Sequence, residues 1–253
     1  MKTQKIALVT GGSRGLGKNM ALALAKTGND VIITYNSNQT EADEVVDAIQ
    51  TLGQKAAALQ LNVGDVKGFD AFANALTSTL TEKWNRPSFD FLINNAGIGI
   101  HETFANTTEE QFDLLTNIHF KGVYFLTQKL LPVIADGGRI INVSTGLSRF
   151  SLPGYSAYAA MKGAIEVLTK YLAKELGSRG IAVNAVAPGA IETDFAGGVV
   201  RDNEQMNQGI AANTALGRVG LPDDIGGVVA FLCSEEGRWV NAQRLEVSGG
   251  MFI

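Results

Sequence analysis

Cysteine is nearly absent. Cys233 is the single thiol in 253 residues, so no intrachain disulfide can form, and its setting in Ala230-Phe231-Leu232-Cys233 reads as a buried helix face. A reduced, cytoplasmic compartment is expected. There is no excess of basic charge: 21 Lys and Arg against 25 Asp and Glu leave a net −4, which offers no footprint for nucleic acid or an anionic membrane surface. No apolar run is long enough to span a bilayer, and Met1-Lys2-Thr3-Gln4-Lys5 is expected to pass straight into a strand without an apolar signal core. No Pro/Ser-rich linker, charge block or internal repeat divides the chain, so one domain over residues 1–253 is expected. No metal is expected.

What is present is an alternation. Apolar runs of strand length fall at 6–9, 31–34, 56–61, 89–93, 139–143, 181–187 and near 244–247. Amphipathic stretches separate them, from about Leu16, from about Glu41, over 69–80, between 109 and 134, over 156–176 and near 223–233. This repeating β-α-β order predicts an α/β fold with a parallel sheet of about seven strands and helices on both faces.

Three places carry chemistry. In Tyr158-Ala159-Ala160-Met161-Lys162 a phenol and an ammonium lie one turn apart on one helix face. A charge about 5 Å from the phenol, at an effective dielectric of about 20, is expected to lower its pKa by about two units, toward what proton transfer needs. Thr10-Gly11-Gly12-Ser13-Arg14-Gly15-Leu16-Gly17 lies between the first strand and the first helix, where backbone N–H groups and the helix N-terminus can face a pyrophosphate. Its spacing, G-x-x-x-G-x-G, departs from the common G-x-G-x-x-G. The second strand ends in Thr34-Tyr35-Asn36-Ser37-Asn38, with no acid for a ribose diol, and Asp30 sits at the wrong end. With Arg14 available to a 2′-phosphate, NADP(H) is favoured over NAD(H).

With Asn94-Asn95-Ala96-Gly97 after the fourth strand and Pro188-Gly189 after the sixth, the chain resembles the short-chain dehydrogenase/reductase family from Lys5 onward. In Gly189-Ala190-Ile191-Glu192-Thr193-Asp194 and Gly249-Gly250-Met251 it is most similar to the group containing 3-oxoacyl-acyl-carrier-protein reductases. The resemblance implies a single-domain, Rossmann-like doubly wound fold. It implies that Tyr158 exchanges a proton with the substrate oxygen while hydride moves at the nicotinamide. Lys162 would lower the tyrosine pKa and hold the nicotinamide ribose, and Asn117 would support a water relay to the lysine. Gly11, Ser13, Arg14, Gly15, Leu16 and Gly17 would take the cofactor phosphates, with Asn36 and Ser37 near the adenosine ribose. Asn94 would help fix the central strand and approach that ribose. Ala96 and Gly97 would line the cofactor, Thr193 would reach the carboxamide, and Pro188, Gly189 and Ile191 would lie beside it.

Two positions leave the family's pattern. The serine that polarises the substrate carbonyl corresponds by spacing to Thr145, with Ser144 as the alternative; if the strand stays regular, only one of these adjacent hydroxyls faces the cofactor. The aspartate that meets the adenine corresponds to Asn62, beside Val63, and its amide oxygen is still an acceptor.

Residues 195–216 mix glycines with Val199, Val200, Met206 and Ile210, as expected of a lid over an apolar ligand, and His101, Phe150 and Tyr155 are further pocket candidates. The expected activity is NADPH-dependent reduction of a ketone or aldehyde to an alcohol. The alternative of a 3-oxoacyl-acyl-carrier-protein reductase is weakened by Ala135-Asp136-Gly137-Gly138, which offers an acidic carrier no basic residues ahead of Arg139. A catalytically inactive dinucleotide-binding regulator would have no reason to keep Asn117, Thr145, Tyr158 and Lys162 together. A nucleotide-sugar epimerase or dehydratase would need a larger C-terminal part. The family implies a homotetramer or homodimer, and Leu168, Leu172 and Leu176 suit either an interface or the core.

Overall fold

Alternating strands and helices give a parallel sheet because each strand must return to the same end before it can pair, and the helices make that return. The computed structural model describes residues 4–253; Met1 to Thr3, the start of the segment expected to enter the first strand directly, lie outside the described residues. The strands are β1 (Ile6–Val9), β2 (Asp30–Tyr35), β3 (Ala56–Gln60), β4 (Phe89–Asn94), β5 (Ile134–Val143), β6 (Ala182–Pro188) and β7 (Arg244–Val247). They pair in parallel in the order β3-β2-β1-β4-β5-β6-β7. The helices are α1 (Gly15–Lys26), α2 (Gln39–Thr51), α3 (Phe69–Trp84), α4 (Glu109–Thr116), α5 (Gly122–Leu130), α6 (Ser156–Glu175), α7 (Val199–Asp202), α8 (Glu204–Ala212) and α9 (Asp223–Leu232).

Strand residues alternate between two cores. Ala7, Val9, Val31 and Ile33 pack with Met20, Leu24, Val45, Ile49 and Val229 of α1, α2 and α9. Ile6, Leu8, Ile32 and Leu92 pack with Phe72, Leu76, Leu126 and Ala173 of α3, α5 and α6. Each such fully buried aliphatic side chain contributes about 1.5–3 kcal/mol. Leu176 belongs to the second core and Leu172 packs against it, so these two face inward. The apolar side chains that α6 shows to solvent are Val167 and Tyr171.

The chain winds from β1 outward to β3, then crosses back to β4 and winds the other way. This leaves a crevice beyond the carboxyl ends of β1 and β4, where open α/β sheets bind ligands. The loops after β1, β4, β5 and β6 all emerge at that edge.

Some boundaries differ from the sequence reading for local reasons. Strand β5 begins at Ile134 because Ile134 pairs with Phe89 before the register shifts. Arg179 holds that extra segment by donating to the Ile134 carbonyl and, at 2.7 Å, to Asp136 Oδ1. Helix α2 begins at Gln39 because Asn38 Oδ1 accepts from the Glu41 N–H at 3.2 Å and caps it. The helical stretch between 109 and 134 is broken by a π-helical turn, Asn117–Lys121, between α4 and α5. Such turns admit an extra residue and rotate the following side chains onto another face.

Candidate active site

The glycine loop is held by its neighbours and by its own Thr10 side chain. Asn95 Nδ2 donates to the carbonyls of Thr10 and Gly11, and Thr10 Oγ1 accepts from the N–H groups of Asn95 and Ala96 at 2.9 and 3.0 Å. Gly12 N–H donates to the Thr34 carbonyl, and Gly11 N–H to Thr34 Oγ1. Gly11, Gly12 and Gly17 are sterically required, a Cβ on Gly12 lying 2.7 Å from Ile33 Cβ. Gly11 has φ +62°, and a Cβ there would come within 2.9 Å of Ala96 Cα; a Cβ on Gly17 would lie 2.1 Å from the Gly11 carbonyl oxygen. Helix α1 then starts at Gly15 with no side chain capping it and no acid in its first turn. Its first N–H groups are left for an external anion. Gly15 opens toward Thr193, whose Cβ would be 3.8 Å from a Cβ built on the glycine. Ser13 is half-buried in the loop, and Leu16 packs against the first core.

At the adenosine end, Asn36 gives its carbonyl to Gln60 Nε2 and Ser37 is exposed. Asn62 is exposed and its Oδ1 accepts from Gly64 N–H at 2.9 Å. Asp30 lies at the opposite end of β2, buried and accepting from Lys55 N–H and Trp84 Nε1. Arg14 is largely exposed and stands 3.9 Å from Asp194, whose other oxygen binds Arg201. Val63, Asn94 and Ala96 line a small cavity of about 10 Å³ with Thr10 and Ile118. Asn94 Nδ2 is spent on Thr127 Oγ1 and Asn142 Oδ1, so this side chain ties β4 to β5.

Beyond β6, Pro188 pairs with Val247, and Gly189 donates to the Val247 carbonyl at 3.1 Å. Ile191 is buried in the first core and bridges to Gly220. Thr193 is buried and its Oγ1 accepts from Phe195 N–H at 3.2 Å.

At the end of β5 and the start of α6 the reactive groups meet. Tyr158 and Lys162 are both buried, with the ammonium 5.8 Å from the centre of the phenol ring. Thr145 lies beside Tyr158, where its hydroxyl acts on the phenol. Ser144 instead donates to Glu166 Oε1 at 2.6 Å. The same carboxylate takes Ser148 Oγ and Arg244 Nε, and Arg244 also donates to the Thr145 carbonyl at 3.0 Å. Thr145 is thus held from behind by a network whose members, Glu166 and Arg244, the sequence did not mark.

Burial pushes the Tyr158 phenol well above the ordinary tyrosine range; the Thr145 hydroxyl pulls the other way and the nearby Tyr155 adds to the rise. This corrects the expectation that Lys162 would bring the phenol down. The ammonium is turned to the Val143 carbonyl at 2.7 Å, and its own pKa is pulled down to about 8 by burial.

Asn117 begins the π-helical turn. The residue that the turn brings against Tyr158 is His119, edge to face at 5.0 Å and 89°. Gly97 makes room for it, since a Cβ there would lie 2.7 Å from His119 Cε1. Of the other pocket candidates, His101 packs edge-on against Tyr155 at 5.0 Å, while Phe150 packs against Phe252.

Comparison with known proteins agrees with this geometry. The sequence model of the family described as Enoyl-(Acyl carrier protein) reductase matches residues 11–252. The chain is 36% identical to the 3-oxoacyl-[acyl-carrier-protein] reductase FabG of Staphylococcus aureus, covering 100% of both chains. Among solved structures it is similar to the promiscuous reductase LugOII, which catalyses keto-reduction at C1 during lugdunomycin biosynthesis, with TM-score 0.94, 36% identity and 99% of each chain covered. It is similar also to the angucycline C-6 ketoreductase LanV with bound NADP, with TM-score 0.93, 35% identity, and 98% of this chain and 95% of that one covered. The doubly wound sheet, the glycine loop, the Tyr158/Lys162 helix and these full-length similarities make one statement: the chain belongs to the short-chain dehydrogenase/reductase family of oxidoreductases.

Proposed function

We propose that this chain reduces an apolar ketone or aldehyde to the alcohol with NADPH. The observation that carries the reading is the meeting of Thr145, Tyr158 and Lys162 in one buried cluster at the sheet edge that also holds the uncapped glycine loop. The residues present fit a dinucleotide. Backbone N–H groups of residues 11–17 would hold the pyrophosphate, Arg14 the 2′-phosphate, Asn36 and Ser37 the ribose, and Asn62 and Val63 the adenine. Ala96 and Gly97, with Pro188, Gly189, Ile191 and Thr193, would flank the nicotinamide half. NADP bound to the ketoreductase LanV and the lack of an acid after β2 both favour NADP(H).

Bound NADPH supplies the hydride that reaches the carbonyl carbon. Tyr158, held protonated by burial, gives its proton to the carbonyl oxygen as negative charge develops there. The Thr145 hydroxyl polarises that oxygen, and the Lys162 ammonium stabilises the phenolate left behind.

Residues 195–216 act as the lid. Ala196, Gly197 and Gly198 hold φ of +52°, +76° and +76°, a left-handed run that re-aims the chain, and α8 buries none of its residues. Phe195 brings its ring 5.7 Å from that of Tyr158, so an apolar wall borders the reacting atoms. Exposed Val167 and Tyr171 on α6, with Tyr124 and Phe125 on α5, suit burial in a homotetramer or homodimer. A reduced cytoplasm suits the buried Cys233, whose thiol burial pushes up to about 12. No helix among the described residues is long and apolar enough to cross a membrane.

The test is NADPH consumption, followed by absorbance, against apolar aryl ketones, aldehydes and a 3-oxoacyl thioester. Turnover of the free ketones is expected. Turnover of the thioester alone would favour the carrier-protein reductase, and NADPH binding without oxidation by any carbonyl would leave a dinucleotide-binding regulator.

A further inference from the structure

His119 is the one ring in the site whose two nitrogens have different fates. Nε2 lies 2.8 Å from the Ile98 carbonyl oxygen and 3.3 Å from the Ile98 N–H nitrogen; the shorter contact assigns Nε2 the proton, donated to the carbonyl. That leaves Nδ1 as a lone-pair acceptor, and Nδ1 is buried with no partner. An unpaired acceptor in a residue only 1% exposed is costly, and such groups call for a donor close by. Both groups border the Tyr158 ring, the imidazole at 5.0 Å and the Lys162 ammonium at 5.8 Å, and the Lys162 charge acts on His119. Lys162 is equally buried, and of its three N–H groups one is spent on the Val143 carbonyl. A buried acceptor lacking a donor thus shares the site with a buried ammonium that has donors to spare.

We propose that His119 is a positioning residue of the reaction, its neutral Nδ1 accepting a hydrogen bond from the Lys162 ammonium through one bridging water. This rests on the reading of Tyr158 and Lys162 as the reacting pair. The bond keeps Lys162 charged in a site that burial would otherwise neutralise, and keeps that charge beside Tyr158 where the phenolate forms. No carboxylate does this job. Of the groups around the lysine, Tyr158 on its own helix and Tyr155 just before it are neutral phenols, and β5 offers the Val143 carbonyl and β6 no charge. Glu166 is taken by Arg244 and the two serines. Glu109, Glu110 and Asp113 of α4 and Lys121 of the π-helical turn are exposed. A protonated His119 would repel Lys162, and burial together with that charge holds its pKa down to about 3, which keeps the acceptor neutral at working pH.

Two substitutions separate this role from simple packing. A glutamine amide reaches the Nε2 position and preserves the tie to Ile98 while removing the Nδ1 acceptor. An asparagine amide does the reverse. The Lys162 titration, followed by NMR of its side chain in the cofactor-free protein, is expected to move down from about 8 by about one to two pH units in His119→Gln, and to stay near the parent value in His119→Asn. The alkaline limb of carbonyl reduction should move with it. An unmoved Lys162 titration in His119→Gln, or equal shifts in both variants, overturns the proposal. In the unaltered protein, nitrogen-15 NMR should show His119 with its proton on Nε2 and a hydrogen-bonded Nδ1, and a proton on Nδ1 overturns it even if a variant fails to fold. Retained activity in Tyr158→Phe would instead remove the reading of the reacting pair, and the Lys162 titration would still judge His119.

Discussion

The Lys162 ammonium donates to the Val143 carbonyl oxygen at 2.7 Å, so the last residue of β5 anchors the charge that serves the phenol one turn earlier on α6. Burial of that charge sets a pH signature. Reduction needs Lys162 charged and should decline as pH rises through about 8. Stability should change the opposite way. The folded pKa lies below the unfolded value of 10.5, so from about pH 8 up to about 10 the unfolded chain binds more protons, and the lysine's contribution to stability rises with pH. Parallel rate and urea-unfolding profiles check this. A rate loss accompanied by loss of structure over that window would count against it.

His119 gives the acid counterpart. Its folded pKa near 3 lies below the ordinary histidine value of 6.5, so protonation opposes the fold and stability should fall as pH drops from about 6.5 toward 3, by up to several kcal/mol. His119→Gln, which cannot take the proton, should flatten that slope in urea melts taken across the window.

The two adjacent hydroxyls should behave differently. Thr145 meets Tyr158, so Thr145→Val should lower kcat by roughly 10² to 10³, while Thr145→Ser is tolerated. Ser144 donates to Glu166, so Ser144→Ala should cost about 1–3 kcal/mol of stability and largely spare turnover. Kinetics and melts on the three variants check this; a crippled Ser144→Ala beside an active Thr145→Val would give the polarising role to Ser144.

Arg14 should set cofactor preference. Replacing it with alanine removes a charged hydrogen bond to the 2′-phosphate worth about 1.5–3 kcal/mol, so the NADPH over NADH preference in kcat/KM should erode by roughly ten- to a hundredfold. Asp194, 3.9 Å away, holds the guanidinium only loosely and should not mask the effect. Equal use of NADH by the unaltered protein would contradict the assignment.

The parallel sheet of about seven strands was readable because strand-length apolar runs alternate with longer amphipathic stretches along the chain. The cluster of Thr145, Tyr158 and Lys162 was readable because a regular helix and a strand end fix their spacing. What the sequence hid follows from local irregularity and from burial. The family resemblance pointed to Asn117, and the π-helical turn beginning there also carries His119 against Tyr158. No pattern of apolar spacing reports such a turn, although a histidine in a largely apolar stretch was a cue. The direction of the Tyr158 pKa depends on how dry the site is, which a one-turn spacing cannot tell. Glu166 and Arg244 meet only because α6 and β7 pack side by side, 78 residues apart in the chain.

The most direct measurement is carbonyl reduction by Tyr158→Phe, with NADPH binding followed in the same preparation. Only a hydroxyl is lost, so the variant should fold and bind NADPH as the parent does while kcat falls by at least about two orders of magnitude. Turnover at a near-native rate would make Tyr158 a packing residue and contradict the account.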